Sequence, residues 1–283
     1  MGYFEQALLA ALLIGALSGL VGTLVVLRQR TFFAQALTHA TFPGAVGAAI
    51  LGVSIPLGAA VASVFIVGIM TMIGRVKRQG NQVASGILLT AGFALGVLLQ
   101  GLNPSLPVKV DSYLVGSILT VTDQDVTLVA VVLGLAVLCI VLFGRQIMFS
   151  TFDVGGFRAA GYHEWPMELL TLVLITATVV TAMPAVGAIL AIALIAAPAA
   201  AARLVSRTTT QMFVIAPVIG AVAGVVGVLL SRSLDVAAGP AIALTAAALF
   251  LLALVLRRLV AAAGAPGQTD ARRPTRTSLR LKA

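Results

Sequence analysis

The chain has 283 residues, of which 60% are hydrophobic and 10% charged, and its formal net charge is +9. Soluble domains contain about 45–50% apolar and about 25% charged residues, so this composition excludes an ordinary soluble globule and also a disordered chain. A single cysteine, Cys139, excludes an internal disulfide and a thiolate metal cluster. The expected class is an all-α polytopic membrane protein.

Successive apolar runs predict the membrane-spanning segments, because about 20 apolar residues are needed to cross the hydrocarbon core. The first run is too long for a signal peptide, carries Glu5 instead of a basic start, and is followed by Arg28 and Arg30. The prediction is eight or nine transmembrane helices; the pair joined at Met183-Pro184 has a very short turn. The nine candidate spans are 6–27, 31–54, 56–74, 83–101, 126–143, 167–185, 187–203, 212–230 and 239–256.

The charged residues predict the orientation of these spans. All 18 Lys and Arg residues except Lys109 and Arg232 fall in one set of alternate loops and the C-terminal tail. Basic loops stay in the cytoplasm, so we expect the N-terminus outside and the C-terminus inside the cell. The net charge is therefore an orientation signal and gives no reason to expect a nucleic-acid partner.

Residues 1–260 are predicted to form one transmembrane domain. Residues 103–125 form an outer connection, and residues 145–166 form an amphipathic cytoplasmic segment in which aromatic and charged side chains alternate. From composition alone, the second segment could also lie on lipid as an interfacial helix. Residues 261–283 are rich in Gly, Pro, Thr and Arg and predict a disordered basic tail near anionic lipid.

Small residues repeat at four-residue spacing within several spans and predict close helix packing. Prolines within or near spans predict kinks or breaks, and broken helices in membranes often line a cavity. Pro43 is the most informative of them because it follows a histidine by one turn. The glycine pairs are Gly15/Gly19, Gly92/Gly96 and Gly220/Gly224.

His39 is the one ionisable residue placed within a predicted span and away from its ends. It lies about eight residues, or roughly 12 Å, into the second span, and a titratable group at such depth is a functional candidate by default. Gln35 shares its helix face at i−4, and Thr38 and Thr41 flank it. Imidazole and amide oxygen can both bind metal ions, but a histidine hydrogen-bonded between packed helices fits the residues equally well.

No enzyme motif accompanies His39. The sequence has no GxxxxGK[ST] run, no HExxH, and no second catalytic group within the spans. We therefore expect no enzymatic activity in this chain, and any ATP hydrolysis would belong to a separate subunit. From the residues alone, a channel or carrier that works without an ATPase is an alternative.

The run from Gln35 through His39 to Pro43-Gly44 resembles the ABC-3 permease family of bacterial zinc, manganese and iron importers. The resemblance covers about Leu9 to Leu256. Four further stretches resemble family segments in the same order: residues 22–30, 113–119, 152–161 and 186–203.

This resemblance implies a type II ABC importer permease-like bundle that forms a dimeric path and works by alternating access. It assigns the metal path to His39 and Gln35, with Thr38, Thr41 and Pro43 as possible supporting residues. It assigns contact with the ATPase to the coupling segment 145–166, at Phe152, Asp153, Arg158 and Gly161. The family usually has an aspartate where this chain has Gln35, which removes a negative charge from the path.

The resemblance also implies partners and a location. These are cytoplasmic ATPase subunits, a second permease chain in a homo- or heterodimer, an extracytoplasmic metal-binding protein and the lipids of the cell membrane. The cargo would be Zn²⁺, Mn²⁺ or Fe²⁺, with no permanently bound cofactor. A metal-chelate permease of the siderophore or cobalamin type is the alternative, although that fold usually needs a longer chain.

Overall fold

The computed structural model describes residues 2–73, 81–104 and 116–263, and every regular element within these ranges is helical. A short 3₁₀ helix, Ile118–Thr120, precedes α6. The α-helices are α1 Tyr3–Leu27, α2 Thr31–Ala40, α3 Phe42–Ile50, α4 Ile55–Ile73, α5 Asn81–Gly101, α6 Asp123–Phe152, α7 Val154–Ala159, α8 Glu164–Val186, α9 Ala188–Val205, α10 Thr209–Leu234 and α11 Ala238–Ala263.

The helices match the predicted membrane-spanning segments. Seven helices in the described ranges are long and apolar enough to cross a membrane: α1, α4, α5, α6, α8, α10 and α11. The shorter apolar α9 and the α2–α3 pair occupy the two remaining predicted spans. The all-α polytopic class is confirmed. α11 continues to Ala263, and the remainder of the predicted tail lies outside the described residues.

α1 is the most deeply buried of the long helices, and it packs most extensively on α10. Gly15 and Gly19 of α1 face the backbone of Gly220 and Ala216 on α10, and Gly224 faces Ala11. A Cβ atom at any of these glycines would overlap a backbone carbonyl of the other helix. The predicted small-residue faces therefore pack against each other and let the two backbones touch.

α2 and α3 pack on α5 through the other predicted glycine pair. Gly92 lies against Ala40 at the end of α2, and Gly96 lies against the ring of Phe42 at the start of α3. α5 therefore supports the junction between the two short helices.

The span predicted over 31–54 differs from the structure, because it is divided into two helices around Thr41. Pro43 lies in the first turn of α3 and has no N–H, so it cannot donate to the carbonyl of His39 as residue i+4 of a continuous helix would. α3 also ends at Ile50, earlier than predicted.

α8 and α9 are two separate antiparallel helices joined at Gly187. Glu164 and Glu168, at the start of α8, line the same polar cavity as Arg203 near the end of α9, so both helices meet the same end of the bundle. Gly187 has φ 88°, a left-handed backbone conformation that glycine adopts without a steric penalty. The chain therefore reverses at Gly187, and Pro184 lies within the last turn of α8.

Gly116 and Ser117, in the predicted outer connection, pack on the turn at Gly187. Gly116 has φ 74° and lies against the backbone of Val186 and Gly187. The Ser117 N–H donates to the carbonyl of Pro184 at 3.2 Å. Residues 105–115 of the predicted outer connection lie outside the described residues.

Candidate functional site

His39 is half-buried on α2, and one wall of its surroundings is aromatic. Its ring meets Phe93 of α5 edge to face, with the ring centroids 5.8 Å apart and the planes at 86°. Phe93 in turn stacks on Phe42, at 5.7 Å and 25°. The imidazole is thereby held on one side by α5, while the described residues leave its other side partly exposed.

Gln35, His39 and Pro43 form a stripe on α2 and α3 that residues 2–73, 81–104 and 116–263 leave open. Gln35 is exposed, and His39 and Pro43 are half-buried. The opposite face of α2 carries Phe33 and Leu37, which are 2% and 0% exposed. The polar residues at four-residue spacing therefore lie away from this chain's own core.

Thr38 and Thr41 lie on the packed side of this stripe, and both are fully buried. The Thr38 hydroxyl donates to the carbonyl of Gln35 at 2.7 Å, and the Thr41 hydroxyl donates to the carbonyl of Thr38 at 3.2 Å. The Thr41 Oγ1 also lies 3.8 Å from the Met183 Sδ. Both hydroxyls thus satisfy backbone carbonyls at the helix junction, and their supporting role at the path stays a prediction.

A closed metal cage is absent from the described residues, where no group of three or more His, Cys, Asp and Glu side chains could hold an ion. α2 and α3 themselves contain no Asp or Glu. One copy of the stripe offers an imidazole, an amide and backbone carbonyls. Such a set can contact a cation in passage but cannot surround one.

The predicted coupling segment is helical and comprises the end of α6, the short helix α7 and the start of α8. α6 continues to Phe152, and α7 follows at once because Asp153 caps it, its Oδ1 accepting from the Gly156 N–H at 2.7 Å. Phe157 of α7 is 1% exposed. Its ring meets Phe149 edge to face at 5.4 Å and stacks on Tyr162 at 5.1 Å.

The four predicted coupling residues fall into two groups. Asp153 caps α7, Arg158 forms an ion pair with Glu164, and Gly161 ends the unit with φ 84°. These three maintain the shape of the segment. Phe152 is 65% exposed, so it presents an apolar surface that a partner could cover.

A cluster of charged residues at this end of the bundle was not predicted from the sequence. Arg28 follows α1 directly and donates to the hydroxyls of Ser150 and Thr151 on α6, at 2.6 and 3.0 Å. Arg30 forms an ion pair with Glu168 of α8. The cluster borders a cavity of about 460 Å³.

Burial lowers the pKa of the Arg28 guanidinium below its usual value, because the side chain is partly removed from water. In the sequence, Arg28 and Arg30 indicated only the orientation of the spans in the membrane. Their partners are distant along the chain, and no periodicity connects them. The position of two arginines directly after the first span is the one signal that pointed to them.

Comparison with known proteins decides the family. The profile of the ABC 3 transport family matches residues 1–257. The chain belongs to the ABC 3 transport family. It is accordingly a multi-pass membrane permease of that transport family and not an enzyme, as predicted.

Relatives of this ABC 3 permease match over nearly the whole chain. The manganese transport system membrane protein MntC of Halalkalibacterium halodurans is 33% identical over 252 residues, which are 89% of this chain and 86% of that protein. The manganese import system permease protein ScaB of Streptococcus parasanguinis is 32% identical over 254 residues, 90% of each chain.

A solved structure shares the fold of the permease. The match is to PsaBC from Streptococcus pneumoniae in complex with Fab, with a TM-score of 0.82 and 31% identity over 93% of this chain and 96% of that chain. The predicted importer-permease bundle is therefore confirmed.

Proposed function

We propose that this ABC 3 permease forms the membrane path of an ATP-driven importer of divalent transition-metal ions, with Mn²⁺ as the first cargo to test. The relatives named above are manganese permeases, and they match about nine-tenths of the chain. Zn²⁺ and Fe²⁺ remain the competing cargoes within the same proposal.

The observation that carries the proposal is the open stripe of Gln35 and His39. A half-buried imidazole in a membrane helix, left partly exposed by the part of the chain that the structure describes, is costly unless it faces a polar path or a partner. A second permease chain that covers this face would bring a second copy of the stripe, or a different set of ligands, to the same path. The ion would then cross between two chains.

Neutral ligands suit transit. Conduction requires binding that is favourable enough for entry and weak enough for exit. His39 and Gln35 offer nitrogen and oxygen without a formal negative charge, which supports brief contact with a cation. We infer that an extracytoplasmic metal-binding protein supplies the affinity and delivers the ion to the outer mouth.

The coupling segment gives the ATPase a place to dock. We propose that cytoplasmic ATPase subunits cover the exposed Phe152 face next to α7 and drive alternating access. This assignment keeps the predicted topology, with the N-terminus outside and the C-terminus in the cytoplasm, because the segment and most basic residues then share the cytoplasmic side.

Uptake of radioactive Mn²⁺ tests the proposal in a bacterial strain that lacks its own manganese importers and expresses the permease with its ATPase and binding protein. The wild-type complex should accumulate Mn²⁺, and His39→Ala should abolish accumulation while the ATPase still copurifies. Thr31→Ala, an exposed position on the same helix, is the matched control and should transport normally.

Competition distinguishes the cargoes. Excess free Zn²⁺ or Fe²⁺ would suppress Mn²⁺ uptake if the path prefers either ion, whereas suppression by an iron chelate alone would favour the metal-chelate alternative. Wild-type uptake in His39→Ala would contradict the role of the stripe.

A further inference from the structure

Arg28 joins three helices at the end of the bundle that carries the coupling segment. Besides Ser150 and Thr151, its guanidinium donates to the carbonyls of Ile147 on α6 and Met167 on α8, at 3.4 and 3.5 Å. The end of α6, the short helix α7 and the start of α8 form what we call the coupling unit, so these two carbonyls lie at its two ends. A single side chain, directly after the buried helix α1, therefore contacts both ends.

Arg28 belongs to a three-residue linker, residues 28–30, that joins α1 to α2. Arg30 of this linker adds a second connection. Its ion pair with Glu168 joins the linker to α8 one residue beyond Met167. The Arg30 side chain is 18% exposed, and the Glu168 side chain is 42% exposed. The linker is thus tied to α8 by the Arg30–Glu168 ion pair and by the hydrogen bond that the Arg28 side chain donates to the Met167 carbonyl.

The linker itself has little freedom to absorb movement. Gln29 has φ 54°, a left-handed conformation that costs a non-glycine residue about 1 kcal/mol or more and persists only where the surroundings enforce it. The Arg30 N–H donates to the Val25 carbonyl at 2.8 Å, which ties the linker back to α1. α2 begins at the next residue, and its stripe carries His39.

A continuous chain of contacts therefore runs from α7 to the proposed ion path. It passes from the coupling unit through Arg28 and Arg30 to the linker, and from the linker to α2. The close contacts in this chain are those of Arg28 with Ser150 and Thr151 and the Arg30–Glu168 ion pair. Charge-assisted hydrogen bonds are about twice as strong as neutral ones, so these contacts are suited to transmit displacement.

We propose that Arg28, assisted by Arg30, is a positioning residue that couples movement of the coupling segment to α2, so that ATP hydrolysis and ion passage stay linked. This inference rests on the proposed function, because it needs an ATPase that docks on the segment and an ion that passes His39. It assigns Arg28 no contact with the ion.

Mn²⁺ uptake and ATP hydrolysis, measured together in proteoliposomes containing the complete importer, test the inference. Arg28→Gln should leave ATPase copurification intact and reduce Mn²⁺ imported per ATP by about tenfold, within the range of ordinary coupling energies. In Arg28→Lys, the Mn²⁺ imported per ATP should lie between the values of Arg28→Gln and the wild type. A single ammonium group lacks the planar fork with which arginine contacts both helices. Thr151→Val removes one contact and should cause a smaller loss.

Arg207→Gln is the matched control, because Arg207 is an exposed arginine in the loop between α9 and α10 at the same end of the bundle. It should leave the ratio of import to hydrolysis unchanged. Thermal unfolding of each variant in detergent separates a loss of coupling from a loss of folding.

Three results would overturn the inference. An unchanged ratio in Arg28→Gln would refute it while leaving the proposed function intact, since wild-type import and its loss in His39→Ala are read in the same assay. Unfolding or loss of the ATPase in both Arg28→Gln and Arg28→Lys would show a structural role only. Absence of wild-type import of Mn²⁺, Zn²⁺ and Fe²⁺ would remove the proposed function and the inference together.

Discussion

The contact between α1 and α10 permits a sharp test, because a single methyl group should break it. Gly15→Ala would place a Cβ against the carbonyl of Gly220, and the other nearest atoms are also backbone, including the Ala221 nitrogen at 3.0 Å. Backbone atoms cannot rotate away as a side chain can. The two helices must therefore separate or tilt.

The expected cost follows from that geometry. Overpacking of a close contact costs about 1–3 kcal/mol, and the absence of a movable neighbour places Gly15→Ala near about 3 kcal/mol. At about 2–4 °C per kcal/mol for chains approaching this size, the melting temperature should fall by about 6–12 °C.

The assay is thermal unfolding of the detergent-solubilised permease, followed by loss of the monodisperse peak in size-exclusion chromatography. Gly134→Ala is the matched control: no heavy atom lies within 4 Å of a Cβ built there, and alanine is favoured over glycine in a helix. The control should melt at or slightly above the wild type. Equal melting temperatures for Gly15→Ala and Gly134→Ala would refute the close approach of α1 and α10.

Two further predictions concern the coupling unit. Asp153→Ala removes the cap of α7 and should cost about 1 kcal/mol, so limited proteolysis should cut near α7 sooner than in the wild type, whereas Asp153→Asn should largely retain the cap; equal cleavage rates in Asp153→Ala and the wild type would contradict the capping role. Phe157→Ala empties the space between Phe149 and Tyr162 and should destabilise this unit by about 3–5 kcal/mol, read as loss of ATPase copurification, while Phe157→Leu should lose less; full copurification with Phe157→Ala would show that the aromatic cluster does not shape the docking surface.

The sequence predicted the helices well, because hydrophobic length is the strongest constraint on a chain in lipid. It predicted small-residue faces at Gly15/Gly19 and Gly220/Gly224 but could not pair them, since a glycine repeat defines a face and does not specify which helix covers it. The division at Thr41 was foreseeable only in part. Pro43 signalled a break, but whether the helix resumes afterwards depends on the support of α5.

The candidate sites show the same limit. The depth of His39 could be counted along the chain, whereas the open side of its helix depends on which helices pack behind it. The role of Arg28 was not predictable, because its partners Thr151 and Met167 are more than a hundred residues away in sequence. The cap that Asp153 gives α7 was not predicted, and its contact with the ATPase stays a prediction.

The stripe carries no negative charge, and this bears on where the proposed importer would bind its ion tightly. A divalent cation that leaves water for a membrane path loses strong hydration, and α2 and α3 provide no carboxylate to compensate. Neutral ligands can match only part of that loss, so an ion should not rest long beside His39. Under the proposed function, and with a second chain that brings the same stripe, capture would then occur before the membrane, at a protein with charged ligands, and direction would come from the ATPase end through the helices that hold the stripe. A permease that worked in this way would need a tight mechanical connection more than a tight binding site, and the contacts that converge on Arg28 are the ones we propose for that connection.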